Sequence, residues 1–412
     1  MEGRLTAPPE LVLQPRLTVR PRPSFWTRRS RSWFTAAATT WIAGLIVLYL
    51  NGHLLLPLDT PTVLHGKSGS GGDLFLDAEM RRILLDRNIR VELTQTGSRE
   101  TATGSFDGYD FLFPSGRPAA YMIKGRLAAQ GHWPRATRPF ASPLVLASFR
   151  QYADTLVAAG VARPQPNGLG GRPLYYTLDI AKFFALMRSG RTWDDLGIGK
   201  WRDPGGGTVS NGNRVLAHSP NMCFANSGEA YLALAAYVST GRNAPPTEAE
   251  APAVAARVKP LLTLEGLQDA DLFNSYVTPE GKGKAPIVVV YEHQYLAYQV
   301  RSRQVRGAPD TDRVLLYPAQ QMLADPEFIA LDAGAERLAR LLTDDRELRR
   351  RAMELGYRVL DPSGEHTSDA LWRYLAERGI PAPDSGGDDT RADLPELAAL
   401  EKMIALVGGC AR

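Results

Sequence analysis

The chain has 412 residues, of which 44% are apolar and 22% are charged. This composition is ordinary for a globular protein with more than one packing unit, and the length is sufficient to bury a large core. The net charge is +4, but the basic excess lies in residues 1–32, which carry seven arginines against Glu2 and Glu10. Because the remainder is close to neutral, the charge gives no indication of a nucleic-acid partner.

An apolar segment without charged side chains follows at residues 33–57. It is long enough to cross a bilayer, and Arg28, Arg29 and Arg31 come directly before it, which keeps that end in the cytoplasm. We therefore predict a cytoplasmic N-terminus at 1–32, a transmembrane signal anchor, and a single-pass cell-membrane protein whose C-terminal part is extracytoplasmic. A cleavable signal peptide and a buried core helix are the alternatives, and the bulky residues after the apolar run disfavour cleavage.

The folded part begins with a β-type run at 62–65, a stretch of small residues at 66–73 (GKSGSGGD) and a helical run at 74–87. We call residues 66–73 the first junction. A turn between a strand and a helix presents free backbone N–H groups to a ligand, because the first N–H groups of a helix have no partner within it. A plain tight turn is the alternative. The candidate ligand-binding residues of the first junction are Ser68, Gly69, Ser70 and Gly71.

Two catalytic motifs are excluded for the first junction. A Walker A loop needs a glycine where Pro61 stands, so Lys67 and Ser68 do not form a nucleotide-binding loop. A nucleophile elbow needs a second glycine where Ser70 stands, so the pattern around Ser68 is not that of an α/β-hydrolase nucleophile.

Further β-type runs follow at 89–93, 109–114 and 140–147, and a helix is predicted at 149–159. A second loop of small residues comes directly after the first of these runs. The candidate ligand-binding residues in this part of the chain are Gly97, Ser98 and Ser142.

The small polar stretch at 219–228 (SPNMCFANSG), which we call the second junction, follows a β-type run and precedes a helix predicted at 229–239. The strand, loop and helix order of the first junction is therefore repeated. Side-chain caps and free backbone amides are expected where this helix begins. The candidate ligand-binding residues of the second junction are Asn226, Ser227 and Gly228.

The Ala- and Pro-rich residues 242–258 are predicted to loop over the surface. The run at 287–291 (IVVVY) has the strongest β pattern of the chain and predicts a central buried strand. Amphipathic helices are predicted at 334–342 and 345–355, and the tail at 361–412 is predicted to be partly helical and partly disordered. The candidate ligand-binding residues at the end of this predicted strand are Tyr291 and Glu292.

The alternation of β and α elements predicts an α/β fold with mostly parallel sheets. Such sheets bind ligands at the carboxyl ends of their strands. Because the two junctions lie in different parts of the chain, we expect a ligand to be clamped between two lobes.

Six segments carry a resemblance to a known family, and they span roughly residues 62–359. In sequence they are GKSGSGGDLFLDAEMRRILLDRNIRVELTQTGS, YDFLFPSG, SPLVLAS, VLAHSPNMCFANSGEAYLALAAYV, PIVVVYEHQYL and VLLYPAQQMLADPEFIALDAGAERLARLL. They resemble extracytoplasmic solute-binding proteins of the type II periplasmic-binding-protein fold, close in pattern to the sulfate, molybdate and phosphate binders. This sequence departs from the family in its membrane helix, which replaces a cleavable signal or a lipid-bearing cysteine, and in its extra tail.

The resemblance implies two α/β lobes joined by two crossovers, and hinge closure that traps the solute. Lobe 1 would comprise residues 58–141 and 287–360, and lobe 2 residues 142–286. The resemblance also implies that the solute is held in the cleft by Ser68, Gly69, Ser70, Gly97, Ser98, Ser142, Asn226, Ser227 and residues near Tyr291 and Glu292.

The charge of the solute stays open. Helix N-termini at both junctions favour an anion, but Asp73 and Glu229 stand near the same helix starts, where a carboxylate itself satisfies the helix dipole and repels an anion. Ordinary capping is the preferred interpretation of these two acids. Glu292 is interpreted either as a ligand for a cationic group or an inter-lobe partner, or as the solvated end of a helix or strand.

Cys223 and Cys410 are the two cysteines of the chain. A disulfide in an oxidising compartment is one interpretation, but because the two cysteines are far apart in sequence, a buried thiol with a separate tail thiol is preferred. We expect no metal and no cofactor, because zinc-type spacing is not shown by His65, His132, His218 and His293.

The sequence therefore favours a membrane-anchored extracytoplasmic solute-binding protein that traps a small polar solute for transport or sensing. Its partners would be the solute, the membrane through the N-terminal helix, and a membrane transporter or envelope protein. One alternative is a ligand-independent tethered sensor or scaffold for an envelope or membrane partner. A weaker alternative is a cleft hydrolase, for which no nucleophile with its base and no carboxylate pair can be named.

Overall fold

The computed structural model describes residues 41, 43, 60–202, 205–241, 244–264, 272–360, 366–384 and 391–410. The predicted cytoplasmic segment 1–32 and anchor 33–57 lie outside these residues, apart from Trp41 and Ala43. Within the described residues, no helix combines the length and the apolar character needed to span a bilayer.

The helices and strands follow each other along the chain from residue 62. The first part comprises β1 (Thr62–Ser68), α1 (Asp73–Leu76), α2 (Ala78–Asp86), β2 (Ile89–Gln95), α3 (Ser98–Thr103), β3 (Phe111–Phe113), α4 (Arg117–Ala129) and β4 (Arg135–Thr137). The second part comprises β5 (Phe140–Phe149), α5 (Arg150–Ala158), β6 (Ala162–Pro164), β7 (Tyr175–Leu178), α6 (Ile180–Arg188), α7 (Asn226–Ser239), α8 (Ala251–Thr263), α9 (Leu272–Val277), α10 (Gly281–Lys284) and β8 (Ile287–Tyr291). The third part comprises α11 (Glu292–Arg306), β9 (Arg313–Pro318), β10 (Leu323–Ala324), β11 (Phe328–Ala330), α12 (Ala333–Asp344), α13 (Arg346–Glu354), β12 (Arg358–Leu360), β13 (His366–Thr367), α14 (Asp369–Ala376) and α15 (Leu397–Gly408).

The strands form two sheets, so the fold is a mixed α/β fold. Sheet I has the order β2-β1-β3-β11-β4, and sheet II has the order β13-β12-β5-β9-β7-β6, with β8 and β10 also bonded to β5. The chain passes from sheet I to sheet II after β4, returns between β10 and β11, and reaches sheet II again at β12. The two lobes, with boundaries at residues 142, 287 and 360, remain a prediction. Strands β8 and β9, which lie in the segment predicted to belong to lobe 1, are hydrogen-bonded to β5 of sheet II.

The expectation of mostly parallel sheets is wrong. Among the described strand pairs, only β1–β2, β1–β3 and β7–β9 are parallel, and the others are antiparallel. The reason lies in β5, whose residues are all buried and which pairs antiparallel with β8, β9, β10 and β12. A continuous apolar run indicates that a strand is covered on both faces, but it does not specify the direction of its neighbours.

Two helices differ from the sequence-based expectations. The run at 74–87 is divided at Asp77, whose Oδ1 accepts a hydrogen bond of 2.8 Å from the backbone N–H of Met80 and so caps α2. The surface loop predicted at 242–258 is wrong for its second half, where α8 begins at Ala251. Apolar residues three and four apart bury one face of α8, and its first proline lies in the first turn, where a missing N–H costs little.

The C-terminal helix packs on two other helices of the fold. Helix α15 packs against α7 and α8 and buries Leu400, Met403, Ile404 and Val407. Cys223 and Cys410 form a disulfide, with their Cα atoms 5.5 Å apart, so the chain contains a covalent link between its second junction and its last helix. Of the two interpretations of the cysteines, the structure shows the paired one.

Candidate functional site

The first junction lies at the carboxyl end of β1, beside the loops that follow β2 and β3. The hydroxyl of Ser68 donates to the carbonyl of Phe113 over 3.0 Å, and the backbone N–H of Gly71 donates to the hydroxyl oxygen of Ser115 over 2.8 Å. The backbone N–H of Ser115 in turn donates to the hydroxyl oxygen of Ser98 over 3.0 Å. Three strand ends are thereby joined at one edge of sheet I, as expected for neighbouring parallel strands.

Gly69 allows this close approach. A Cβ atom at Gly69 would lie 2.3 Å from the hydroxyl oxygen of Ser98 and 2.8 Å from that of Ser115. Only a residue without a side chain fits there. Ser70 begins the single 3₁₀ turn Ser70–Gly72 that leads into α1.

Asp73 is the first residue of α1, and it lies on the exposed side of the junction. Its Oδ1 accepts a hydrogen bond of 2.9 Å from the side-chain amide of Gln95 on β2. The N-cap residue of α1 is Gly72, so the side chain of Asp73 does not occupy the capping position.

The second junction opens α7 earlier than the sequence pattern predicts. Helix α7 begins at Asn226, its N-cap is Ala225, and this N-cap makes no side-chain capping bond. The predicted side-chain caps from Asn226 and Ser227 are therefore wrong, because both residues lie inside the first turn. Gly228 packs against the junction itself, since a Cβ there would lie 2.3 Å from the carbonyl oxygen of Pro220.

Asn226 connects the second junction to the loop that follows β3 in sheet I. Its Nδ2 donates to the hydroxyl oxygen of Tyr291 over 2.7 Å and to the carbonyl of Ser115 over 3.4 Å. Ser227 also hydrogen-bonds the side chain of Tyr291, and burial raises the pKa of that phenol well above its usual range. Tyr291 at the end of β8 is therefore the residue on which the side chains of the second junction converge.

Two glycines, in the loops that follow β2 and β3, show how closely these loops approach the second junction. A Cβ atom at Gly97 would lie 2.3 Å from the carbonyl oxygen of Phe224, and one at Gly116 would lie 2.0 Å from Oδ1 of Asn226. The backbone of Gly97 has φ −70° and that of Gly116 has φ −157°, so neither position needs glycine for its conformation. Glycine is required at both positions because the facing loop leaves no room for a side chain.

A small pocket lies where the loop after β3 meets the start of α7, and its cavity volume of about 10 Å³ is room for about one water molecule. Residues 66–73 are not among its lining residues. Its polar lining comes from Arg117, Asn226 and Glu229, and the C-terminal segment contributes Leu394 and Leu400. The remaining lining residues are Gly116, Pro118, Ala230, Met322 and Leu323.

Glu229 is the least expected member of this pocket. It is the fourth residue of α7 and is 3% exposed, so the predicted capping role is wrong. Its Oε2 has no hydrogen-bond partner among the described residues. Burial raises the pKa of Glu229 to about 8, an effect that the nearby guanidinium of Arg99 partly opposes and the carboxylate of Glu401 reinforces. The side chain is therefore largely neutral at pH 7.

Arg99 follows the candidate residues Gly97 and Ser98 and is paired with the C-terminal helix. Both of its terminal nitrogens contact the carboxylate of Glu401 on α15. The side chain of Arg99 is 13% exposed and that of Glu401 27%, so the ion pair is partly shielded from solvent. This pair raises the pKa of the Arg99 guanidinium.

Ser142 and Glu292 occupy a different cluster from the other candidates. The hydroxyl oxygen of Ser142 accepts from the backbone N–H of His293 over 3.1 Å and lies 3.0 Å from its Nδ1. The ring of His293 stacks on that of Tyr357 with centroids 4.0 Å apart, and burial lowers the pKa of this histidine to about 3. Ser142 therefore positions a neutral, buried imidazole.

Glu292 is fully buried, which excludes the interpretation as a solvated end of a helix or strand. Arg358 donates to its two carboxylate oxygens over 2.8 Å and 2.7 Å, and the hydroxyl of Tyr317 donates to Oε1 over 2.8 Å. The charge of Glu292 is thus compensated within the protein, between α11, β9 and β12.

Four residues of the site were not predicted from the sequence: Arg99, Ser115, Gly116 and Arg117. A sequence signal existed for two of them. The run at 109–114 is followed by small residues, as the first junction follows its own strand, and this pattern would have selected Ser115 and Gly116. Arg99 and Arg117 have no such signal, because their partners are distant in sequence: Glu401 for Arg99 and Asp325 for Arg117, whose Nη2 lies 2.6 Å from Oδ2 of Asp325. Among the described residues, no group of three or more acidic, histidine or cysteine side chains is arranged to hold a metal ion.

The chain was compared with known proteins. No protein-family model and no curated protein matches it. Solved structures that are similar include the sulfate-binding protein SubI from Mycobacterium tuberculosis, with 14% identity over 80% of this chain and 97% of that one, at a TM-score of 0.44. Iron-bound HitA from Pseudomonas aeruginosa has 13% identity over 84% of this chain and 98% of that one, at a TM-score of 0.47. The periplasmic molybdate-binding protein of Azotobacter vinelandii has 14% identity over 72% of this chain and 100% of that one, at a TM-score of 0.38. At these identities and TM-scores, the similarity assigns no function to this chain.

Proposed function

We propose that this chain is an extracytoplasmic solute-binding protein that holds a small polar solute between the loops after β2 and β3 of sheet I and the second junction. The observation that carries the proposal is the bridge made by Asn226, which joins Tyr291 on the side of sheet II to the Ser115 carbonyl on the side of sheet I. A pocket lined by residues of both sides lies at this bridge. Polar groups that converge on a pocket between two packing units are the usual arrangement of a ligand site.

The described conformation is the closed one under this proposal. Gly97 and Gly116 touch the second junction, so a solute enters only when the loops separate. The bond from Asn226 to the Ser115 carbonyl is 3.4 Å long, and a bond of this length is weak and easily replaced. A bound solute would replace such hydrogen bonds between the two sides with its own, and hinge closure would then hold the two sides together around it.

We propose binding and not catalysis for this pocket. The polar side chains that line it are those of an arginine, an asparagine and a glutamate, and no serine, cysteine or lysine nucleophile is among its lining residues. An acyl-transfer or hydrolase mechanism would need a nucleophile within hydrogen-bond reach of a base.

We propose an extracytoplasmic location, with residues 33–57 as a membrane tether. The disulfide between Cys223 and Cys410 supports this location, because disulfides persist mainly in oxidising compartments. The uncharged apolar run and the arginines that precede it support the tether and its orientation.

The proposal is tested by thermal unfolding of the full chain in detergent with a panel of solutes. The panel contains sulfate, molybdate, phosphate, ferric citrate, and neutral and cationic amino acids. A solute that binds only the folded state at a hundred times its Kd adds about 2.7 kcal/mol to stability, so one class should raise the Tm by several degrees.

Two glycine variants sharpen the test. Gly97→Ala places a methyl group against the Phe224 carbonyl, so the loop after β2 can no longer close on the second junction. This variant should therefore abolish the solute-dependent rise in Tm. Gly125→Ala, in the middle of α4 with open space around it, is the matched control and should keep the rise. If no solute class raises the Tm of the unmodified chain, the solute-binding proposal loses its support.

One observation favours the second candidate, a tethered scaffold that needs no ligand. The polar groups of the loops after β1, β2 and β3 are already bonded to one another through Ser68, Ser98 and Ser115. Co-purification from membranes separates the two candidates. A membrane or envelope partner that is retained equally by the unmodified chain and by Gly97→Ala would favour the scaffold.

A further inference from the structure

The C-terminal segment 391–410 forms part of the wall of the pocket. The backbone N–H of Ala392 donates to the carbonyl of Gln321 over 2.7 Å, which places the start of the segment beside β10. Leu394 and Leu400 then form part of the pocket wall. Helix α15 continues along α7 and α8, and the amino group of Lys259 on α8 donates to the Leu406 carbonyl over 3.0 Å.

The segment is attached to both sides of the pocket. On the side of sheet I, Glu401 pairs with Arg99, the residue after Ser98. On the side of sheet II, Cys410 is bonded to Cys223, whose neighbour Phe224 is the residue that touches Gly97. The two attachments therefore flank the contact between Gly97 and Phe224.

We propose that residues 391–410 act as a strap that holds the loop after β2 against the second junction and must release Arg99 before the pocket opens. This inference rests on the proposed function and concerns its regulation. The disulfide keeps the strap on the second junction, so the breakable attachment is the ion pair between Arg99 and Glu401. When the loops separate, α15 moves with α7, and the guanidinium of Arg99 becomes free to contact solvent or solute.

Chemical reduction breaks the disulfide, which is the covalent attachment of the strap to the second junction. A dithiol reductant attacks one sulfur of the Cys223–Cys410 bond as a thiolate, the S–S bond breaks, both cysteines become thiols, and the dithiol closes to a cyclic disulfide. The strap is then held by noncovalent contacts alone. Opening of the pocket should become more frequent, because the end of α15 no longer follows the second junction.

Amide hydrogen exchange tests the strap without any solute. In the full chain in detergent, peptides covering residues 96–103 and 219–228 report how often the loop after β2 separates from the second junction. Arg99→Glu replaces the guanidinium by a carboxylate that repels that of Glu401 and should speed exchange in both peptides about tenfold or more. Glu401→Gln removes the charge of one partner and should act in the same direction. Glu396→Gln, at the N-cap of the same helix, is the matched control and should exchange like the unmodified chain.

A charge-swapped chain distinguishes the strap from simple damage to the fold. Arg99→Glu combined with Glu401→Arg restores an ion pair of opposite polarity and should return exchange in both peptides toward that of the unmodified chain. Treatment of the unmodified chain with dithiothreitol should also speed exchange in both peptides, and it should have no effect on a Cys223→Ser/Cys410→Ser chain.

Two outcomes overturn the inference. In the first, Glu401→Gln and Arg99→Glu speed exchange only within α15 and leave the peptides 96–103 and 219–228 unchanged. In the second, the charge-swapped chain exchanges as fast as Arg99→Glu alone. Neither result depends on whether a solute binds. A failure of the solute panel would therefore leave this test intact, and a failure of this test would leave solute binding open to its own measurement.

Discussion

Arg358 on β12 holds the carboxylate of Glu292 at the start of α11 through two hydrogen bonds of 2.8 Å and 2.7 Å, in a site where Glu292 has no exposed surface. A buried charge that loses its partner is costly, whereas replacement of both partners by apolar residues is often neutral. Arg358→Met should therefore reduce the free energy of unfolding by about 3–5 kcal/mol. The double variant Glu292→Met/Arg358→Met should recover most of that loss.

Urea denaturation of the two single variants, the double variant and the unmodified chain gives the coupling energy, which should be about 2 kcal/mol or more. Arg82→Met is a suitable control, because Arg82 makes comparable ion pairs with Glu79 and Asp86 on the exposed face of α2. Surface pairs of that kind contribute less than about 1 kcal/mol. Equal losses for Arg358→Met and Arg82→Met would contradict the prediction.

Glu229 should make the fold less stable as the pH rises. Burial raises its pKa to about 8 in the folded chain, compared with 4.5 for an unperturbed glutamate. Between these two values the unfolded chain has lost the proton and the folded chain retains it, so raising the pH favours unfolding by up to about 1.4 kcal/mol per pH unit. Glu229→Gln should flatten this slope and stabilise the fold at pH 8. A slope that is unchanged in Glu229→Gln, measured by urea denaturation from pH 5 to pH 8, would contradict the assignment.

His293 should have the opposite dependence at lower pH. Burial lowers its pKa to about 3, compared with 6.5 for an unperturbed histidine. Between these values the unfolded chain binds a proton that the folded chain excludes, so stability is lost as the pH falls from 6.5 toward 3. His293→Gln should flatten this acid limb, although it also removes the stack on Tyr357. The exposed His132, replaced in the same way, should leave the limb as steep as in the unmodified chain.

The disulfide should contribute strongly to stability, because it closes a large loop. The two cysteines are 187 residues apart in sequence, and the loop-entropy relation for that length gives at most about 5 kcal/mol. Reduction with dithiothreitol should lower the urea midpoint of the unmodified chain. A Cys223→Ser/Cys410→Ser chain should already have the lower midpoint and should not respond to the reductant. A midpoint that is unchanged by reduction would show that the bond does not constrain the unfolded chain.

Local pattern predicted the positions of the strands and junctions well, because the signal lies within a few neighbouring residues. The first junction is found between β1 and α1, and the run at 287–291 is the buried strand β8. Eight of the candidate residues are joined through hydrogen bonds or tight contacts around the bridge made by Asn226. They are Ser68, Gly69, Gly71, Gly97, Ser98, Asn226, Ser227 and Tyr291.

Features that depend on distant partners could not be read from the sequence. Strand direction in sheet II depends on which segments return beside β5, and the apolar pattern of β5 is the same for either direction. The start of α7 was placed three residues late, because Asn226 is a common capping residue and its bond to Tyr291 is set by tertiary packing. The ion pairs of Arg99 and Glu292 could not be predicted from the sequence either, because their partners, Glu401 and Arg358, come from distant segments.

The bond between Cys223 and Cys410 also changes how the chain responds to mechanical force. A pull between the N-terminus and the C-terminus can extend only the residues outside the loop that the bond closes. The 187 residues of that loop correspond to about 650 Å of extended chain, which stay hidden until the bond is reduced. In single-molecule stretching, the oxidised chain should therefore be shorter at full extension than the reduced chain by this length, so the protein carries a covalent limit on how far it can be unravelled from its ends.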